Sequence, residues 1–269
     1  MFRHILCAAT IVGSLFAIPP VARAATQHAQ PCASGSLWSM ASRTHAKLTP
    51  CVAKPHALIL ETTYYQNASR VGGTALAAFP EARVRYGALA DVELFVDAPS
   101  EIAKSGQRGA GIYFMTQTGV GAKYQFARAH DVVYSISAET HPPLGALANL
   151  NLIPLSDVHL SANWSGYGGR EFGLEAGTIN YDNLRHTHLR SSELIAATYT
   201  QAFNTRTWWT AEVTSQSNVY SKSRAQSSGV FSVSRMLSSR MLFGAEIGSA
   251  FNAQSDSKPH YIAGTFTIR

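Results

Sequence analysis

Apolar and polar residues alternate along most of the chain after Pro55, and this period of two predicts extended strands. Charged and apolar residues alternate over 81–86 and again over 92–97, so that one set of alternate positions is apolar and the other is charged. The same rhythm returns over 112–126, 132–139, 160–164, 209–213, 241–247 and 262–268. Each predicted strand therefore has one apolar face and one polar face.

The predicted connections alternate between short and long. Short links are expected near 87–90, 127–130, 167–170, 203–206 and 237–239. Longer polar links are expected near 68–73, 98–110, 141–156, 182–189, 219–227 and 251–258. Short turns on one rim and long loops on the other are typical of bacterial outer-membrane barrels. Counting the runs predicts about 12 strands, and the even number depends on a strand over 171–181.

The predicted fold class is all-β: a transmembrane antiparallel up-and-down β-barrel over 55–269, located in the bacterial outer membrane. A soluble β-sandwich also has alternating strands, but its strands are usually about 5 or 6 residues long, whereas these runs reach about 10. Charged residues make up only 14% of the chain, against roughly 25% in soluble domains. Aromatic residues near the predicted strand ends suggest an interfacial girdle: Tyr64, Tyr86, Tyr124, Phe126, Trp164 and Trp208. These features favour outer-membrane lipid as the surrounding medium.

The first residues predict a secretory signal peptide at 1–24. Arg3 precedes an apolar run over 5–18, and the small residues Ala22 and Ala24 suit a signal peptidase. Without Arg3 and Arg23, the 22 basic residues fall to 20 against 16 acidic ones, a net charge of +4. That balance is too weak to predict nucleic-acid binding.

Residues 25–54 form a separate N-terminal segment without strong alternation. Its Cys32 and Cys51 are the two cysteines left in the exported chain, so a disulfide between them is expected. The segment is predicted to lie in the periplasm or to plug part of the barrel.

Charged residues on the polar faces are predicted to point into the lumen. The candidate lumen and selectivity residues are Glu81, Arg83, Arg85, Glu93, Asp97, Lys123, Glu139, Glu212 and Glu246. Because charges inside a barrel must be hydrated or paired, two interpretations stay open. The set either forms a selectivity lining for passing solutes or a mutually neutralised ladder that fills a narrow interior.

Two other groups of residues are candidates for catalysis or metal binding. His159, Ser161 and Asn163 share a strand face and suggest a lipid hydrolase, but Leu160 and Trp164 take the opposite, lipid-facing side. A polar lumen strand is therefore favoured, with the hydrolase and a structural barrel without transport as alternatives. The loop motif 186–188 has two histidines and no clear third ligand, so no metal site is predicted.

Three short motifs follow one another between 83 and 124: RVRYG at 83–87, DVEL at 91–94 and GVGAKY at 119–124. Their residues are Arg85, Tyr86, Gly87, Asp91, Glu93, Leu94, Lys123 and Tyr124. Over 58–143 the chain resembles the outer-membrane proteins of the meta-pathway of phenol degradation family. That resemblance implies a porin-like channel for passive or facilitated diffusion of small solutes, in some members aromatic or hydrophobic. It implies no enzyme activity and no cofactor.

Overall fold

The computed structural model describes residues 32, 37–41, 49–68, 75–99, 101–106, 109–115, 118–129, 131–142, 153–166, 168–182, 190–217, 225–251 and 260–269. The predicted signal peptide at 1–24 and the histidine motif at 186–188 lie outside the described residues. A four-residue helix, α1 (Leu37–Met40), lies in the N-terminal segment. Among the described residues, no helix is long and apolar enough to cross a membrane.

Fourteen antiparallel segments form one sheet. They are β1 (Leu58–Ala68), β2 (Ala75–Gly87), β3 (Val92–Ala98), β4 (Glu101–Gly106), β5 (Gly109–Met115), β6 (Gly119–Ala129), β7 (Val132–Thr140), β8 (Ile153–Gly166), β9 (Arg170–Asp182), β10 (Arg190–Asn204), β11 (Thr207–Gln216), β12 (Gln226–Ser238), β13 (Met241–Ala250) and β14 (His260–Ile268).

The sheet closes on itself because β1 pairs with β2 on one side and with β14 on the other. β2 pairs with β4 along its first half and with β3 along its second half. β4 then pairs with β5, and β3 pairs with β6. Consecutive segments β3 and β4 therefore count as one strand of the barrel, and so do β5 and β6. The segments therefore make a closed barrel of 12 strands, which confirms the predicted fold class. The strand predicted over 171–181 is present as β9.

The connections alternate in length as predicted, except that β4 and β5 are joined on the long-link side by only the two residues 107–108. The short links 88–91, 130–131, 167–169, 205–206 and 239–240 lie at one rim, where β1 begins and β14 ends. We assign this rim to the periplasm, because short turns of outer-membrane barrels lie there. The longer links lie at the opposite, extracellular rim.

The polar loop predicted near 98–110 is wrong, because most of it is strand. β4 and β5 form a hairpin there, and β4 pairs with the first half of β2 from Ala75 to Phe79. The reason is the length of β2, which is 13 residues. Its first half presents backbone hydrogen-bonding groups that require partners, and β4 supplies them.

The strand faces have the opposite polarity to those of a soluble sheet. Outward residues such as Leu60, Leu94 and Leu160 are 40%, 48% and 50% exposed, whereas the inward Ser135 and Ser232 are 1% and 2% exposed. An apolar outer surface is stable when it contacts lipid. Closure through β1 gives every described segment a partner on both sides except β5, which pairs with β4 alone along most of its length. The protein is thus an outer-membrane β-barrel.

Five of the six residues predicted for the aromatic girdle lie on the outer face, and Trp208 does not. Tyr64, Tyr86, Tyr124, Phe126 and Trp164 are each at least 40% exposed on the outer face, but Trp208 is 9% exposed. Trp208 shares the parity of the inward Thr210 and Glu212, and Trp209 takes the outer side, where its ring lies against Phe231. Because two tryptophans are adjacent, the sequence does not make it obvious which of them faces outward.

Candidate functional site in the barrel interior

The predicted lumen residues all lie on the inward faces of their strands. Arg85, Glu93, Lys123, Glu139, Glu212 and Glu246 are buried, and Glu81, Arg83 and Asp97 are partly buried. Arg85, Glu93, Lys123 and Glu139 pair with charged groups of other strands.

Four buried charges form a cluster near the periplasmic rim, which we call the inner ion cluster: Glu61, Arg85, Glu93 and Lys123. Arg85 Nε and Nη2 donate to the two carboxylate oxygens of Glu93 at 2.8 Å each, and Nη1 donates to Glu61 Oε1 at 2.8 Å. Lys123 Nζ lies 3.2 Å from Glu93 Oε1. Two cations balance two anions, which avoids the cost of an isolated buried charge.

The inner ion cluster also binds the N-terminal segment. Arg85 donates through Nη1 to the carbonyl of Met40 and through Nη2 to the carbonyl of Cys51 at 3.3 Å. Lys123 Nζ donates to the carbonyl of Thr49 at 2.9 Å. Hydrogen bonds from charged donors are the stronger ones, and these are shielded from water.

Gly87 permits a close backbone approach at the same place. A Cβ atom on Gly87 would lie 2.0 Å from the carbonyl oxygen of Lys54 and 2.6 Å from that of Ala53. Ala53 in turn donates its backbone N–H to Glu93 Oε2 at 2.7 Å. A side chain at position 87 would therefore displace this part of the segment.

Apolar contacts also hold the N-terminal segment against the barrel wall. Leu37, Met40, Ala41, Cys51 and Ala53 of the segment pack with Ile59, Trp208 and Leu242 of the wall, and all eight are buried. The expected disulfide joins Cys32 to Cys51. The inward Trp208 is explained by this contact.

A second set of charges lies nearer the extracellular rim. Arg83 makes two hydrogen bonds of 2.5 Å to the carboxylate of Asp97, which is directly opposite on β3. It also donates to Glu139 Oε2 at 3.0 Å. The Arg83 guanidinium lies 4.5 Å from the centre of the Phe95 ring.

Histidines and carboxylates continue this set across β7, β8 and β9. His141 Nε2 lies 3.2 Å from Asp157 Oδ2, and His159 Nε2 lies 3.4 Å from Asp157 Oδ1. His159 Nδ1 lies 2.7 Å from Glu175 Oε1, and Ser161 Oγ donates to Glu175 Oε2 at 3.4 Å.

The residues of the hydrolase alternative thus face the interior. Ser161 and Asn163 are buried there, and the neighbouring Leu160 and Trp164 are exposed on the outer face. A lipid hydrolase needs its nucleophile where acyl chains can reach it, and the outer face is the side that meets lipid. Ser161 donates its hydroxyl to the carboxylate of Glu175 on the adjacent strand.

The wall from β10 to β14 is lined differently. Its buried inward residues include Ser192, Thr200, Thr210, Thr214, Ser232, Ser234 and Thr267. The hydroxyls bond locally: Thr200 Oγ1 and Thr210 Oγ1 are 2.9 Å apart, and Thr214 donates to Glu212 Oε1 at 2.8 Å. We call this part the hydroxyl wall, and the part from β1 to β3 and β6 to β9 the charged wall.

Sequence reasoning missed several charged or ionisable residues of the interior, among them Glu61, His141, Asp157 and Glu175. Glu61 lies in the run Glu-Thr-Thr, which has no clear alternation, and His141 lies just beyond β7. Asp157 and Glu175 did carry a signal, because each has an apolar neighbour of the opposite parity, at Val158 and Leu174.

No family model and no curated protein matches the chain. The resemblance to the meta-pathway of phenol degradation family is therefore not confirmed. Among solved structures, the chain is similar to the COG4313 outer membrane channel from Pseudomonas putida F1, with TM-score 0.60 and 12% identity over 81% of this chain and 97% of that one. It is also similar to the NanC porin, with TM-score 0.51 and 8% identity over 77% of this chain and 99% of that one. At these identities the likeness shows the fold.

Proposed function

We propose that the protein is an outer-membrane channel for passive or facilitated diffusion of small solutes. The observation that carries the proposal is the hydroxyl wall, because its Ser and Thr side chains extend from Ser192 on the extracellular half of β10 to Thr267 at the periplasmic end of β14. These side chains are buried in the structure, so they would meet a solute or water only in an opened state of the lumen. There, hydroxyl groups would offer hydrogen bonds without a strong binding site, and weak binding is what conduction requires. The fold that the chain has in common with a channel and a porin is compatible with this role.

In this proposal the N-terminal segment closes the periplasmic end. Residues 37–41 and 49–53 fill the space between the inner ion cluster and the apolar side chains of Trp208 and Leu242. Contacts on both walls would hold the segment across the lumen. The Cys32–Cys51 disulfide shortens the chain that could swing away. The channel would then conduct poorly at rest and open when these contacts are released.

The charged residues would have two different roles. The inner ion cluster is internally neutral and fully shielded, which suits a neutralised ladder that anchors the segment. Glu212 and Glu246 lie on the hydroxyl wall beside the proposed passage, which suits a cation preference for the channel. In this proposal the neutralised ladder describes the inner ion cluster, and the selectivity lining describes Glu212 and Glu246.

The solute class follows from the same lining. Hydroxyl groups favour small solutes that form hydrogen bonds, and an aromatic compound with a hydroxyl group meets both this requirement and the family resemblance. A purely apolar hydrocarbon would gain little from Thr200 or Ser232.

Liposome swelling tests the proposal with the full mature protein in its oxidised form. We expect a small hydroxylated aromatic compound and a small sugar alcohol to enter faster than into protein-free liposomes. Gly87→Ala is expected to increase both rates. Heat-denatured protein is the control for leakage caused by incorporation alone. If neither wild type nor Gly87→Ala admits any solute, the barrel is structural and the channel proposal fails.

The hydrolase alternative has its own assay. Purified wild-type protein and Ser161→Ala are incubated with phospholipid vesicles, and fatty-acid release is measured. We expect no release from either protein. Release that depends on Ser161 would replace the channel by a lipid-acting enzyme.

A further inference from the structure

Two carboxylates face each other at the extracellular end of the charged wall. Glu139 on β7 and Asp157 on β8 are directly opposite in the strand register. Like charges at such positions destabilise a sheet unless something lies between them. His141 is the nearest such group: its Nε2 is 3.2 Å from Asp157 Oδ2, and its Nδ1 is 3.6 Å from Glu139 Oε1.

Glu139 has one oxygen without a hydrogen-bond partner among the described residues. Its side chain is 5% exposed, and its Oε2 accepts from Arg83, but Oε1 is buried and accepts no hydrogen bond. The distance of 3.6 Å to His141 is too long for one. Since a buried acceptor without a partner is costly, Oε1 has the position expected of a ligand atom.

The backbone leaves room for this oxygen. A Cβ atom on Gly119 would lie 1.9 Å from Glu139 Oε1, so glycine is required for the carboxylate to reach its present place. The carboxylate therefore occupies a gap on β6 beside Asp97.

The local charge is unbalanced in favour of anions. Of four carboxylates in the described part of this region, Asp97 and Glu139 pair with the guanidinium of Arg83, whereas Asp157 and Glu175 pair with imidazoles. Buried carboxylates are stabilised by cations. Two imidazoles, His141 and His159, are the other ionisable groups in contact with them.

We propose that Glu139, His141 and Asp157 bind one divalent transition-metal cation at the extracellular mouth of the barrel. One ligand atom from each residue lies within 4.8 Å of the others. An imidazole nitrogen with two carboxylate oxygens is a ligand set suited to Zn²⁺, at bond lengths of about 2.0 to 2.2 Å. Because the two carboxylates now lie at different nitrogens of the ring, binding would require the His141 side chain to turn so that one nitrogen and both carboxylates meet at the ion. This inference is independent of the channel proposal, since a barrel that conducts nothing would bind the ion equally.

Isothermal titration of ZnCl₂ into the detergent-purified, tag-free, oxidised protein tests the site near neutral pH. We expect saturable binding of one ion per chain. His141→Ala and Glu139→Gln are each expected to weaken binding by at least about tenfold, the scale on which metal sites respond to altered ligation. Heat-modifiable gel migration establishes that each variant forms the barrel.

Matched controls use histidines elsewhere. His56 is exposed at the periplasmic rim, and His56→Ala should bind like wild type. The double variant His186→Ala/His188→Ala removes the loop motif and should also bind like wild type. Loss of binding in that double variant, with binding retained in His141→Ala, would overturn the proposal.

A second route leaves all three ligands in place. Gly119→Ala puts a methyl group where Glu139 Oε1 lies, so we expect the same loss of Zn²⁺ affinity. With Co²⁺ as the probe, wild type should show visible absorption bands of an ion bound to protein, which weaken in Gly119→Ala. If an imidazolium of His141 simply bridges the two carboxylates, neither metal will bind saturably, and the proposal is wrong.

Discussion

The charged wall and the hydroxyl wall have the same outside and different insides. Both present apolar side chains to lipid, such as Leu174 on β9 at 50% exposure and Ile247 on β13 at 59%. Inside, the charged wall carries paired ions, including the fully buried Arg85. The hydroxyl wall carries buried Ser and Thr residues with Glu212 and Glu246, beside about as many buried apolar residues such as Leu194 and Val230. The outer faces are alike because lipid imposes one requirement on every strand. The inner faces differ because no such common requirement applies to them.

The N-terminal segment contacts the two walls by different forces. It accepts hydrogen bonds from Arg85 and Lys123 of the charged wall and makes apolar contacts with Trp208 and Leu242 of the hydroxyl wall. Charged hydrogen bonds fix a position and an orientation, while apolar contacts add affinity with less directionality. The charged wall thus determines where the segment lies.

The largest expected difference between the walls is in the free energy of unfolding that a substitution removes. Arg85→Met leaves Glu61 and Glu93 without their main cation and should cost about 3 to 5 kcal/mol. Thr210→Val on the hydroxyl wall removes one hydroxyl contact and should cost about 1 kcal/mol. Urea unfolding in detergent, followed by heat-modifiable migration, measures both. Equal losses would show that the two walls do not differ as described.

A charge on the outer face should cost the same on either wall. Leu174→Arg and Ile247→Arg each put a guanidinium against lipid at mid-strand and should destabilise by about 2 to 4 kcal/mol in a bilayer. Folding into lipid vesicles at graded urea concentrations measures the effect. Arg235→Leu, at the periplasmic end of β12 where Arg235 is already exposed, is a control expected to change little. Variants of Leu174 and Ile247 that fold like wild type would argue against lipid contact.

The smallest stability effect, with a clear effect on selectivity, is expected for Glu212→Gln and Glu246→Gln. Each amide keeps the shape of the side chain and removes one negative charge from the hydroxyl wall. Reversal potentials in a salt gradient should shift toward lower cation preference, with the largest shift in the double variant. A shift of the same size in Asp97→Asn, whose charge is paired with Arg83, would remove the distinction between the walls.

The barrel was predictable from sequence because a period of two persists over ten strands or more, and lipid leaves few alternatives to a closed sheet. The inward position of Arg85, Glu93 and Lys123 followed from parity alone. Their partners did not, because the carbonyls of Met40, Thr49 and Cys51 belong to a segment that has no period to read. Trp208 is a different case, because its parity is that of Glu212 and only its position beside Trp209 suggested the outer face.

The cluster of Glu139, His141 and Asp157 was beyond sequence reasoning for a related reason. Its residues come from β7, the link after it and β8, and their proximity depends on a register of strands separated by a long link. Alternation gives the face of each residue but not the neighbour across the ladder. The prediction that no metal site exists considered only residues close together in the chain.

Single-channel recording of wild type and Gly87→Ala tests the account most directly. The methyl group cannot fit beside the carbonyl oxygens of Ala53 and Lys54, so it should displace the N-terminal segment while leaving every charge of the lumen in place. We predict that the oxidised wild-type protein conducts weakly and that Gly87→Ala conducts severalfold more. Gly264→Ala on β14, where an added methyl group would meet no atom within 4 Å, is the control for insertion. Equal conductance of wild type and Gly87→Ala would contradict a lumen closed by this segment.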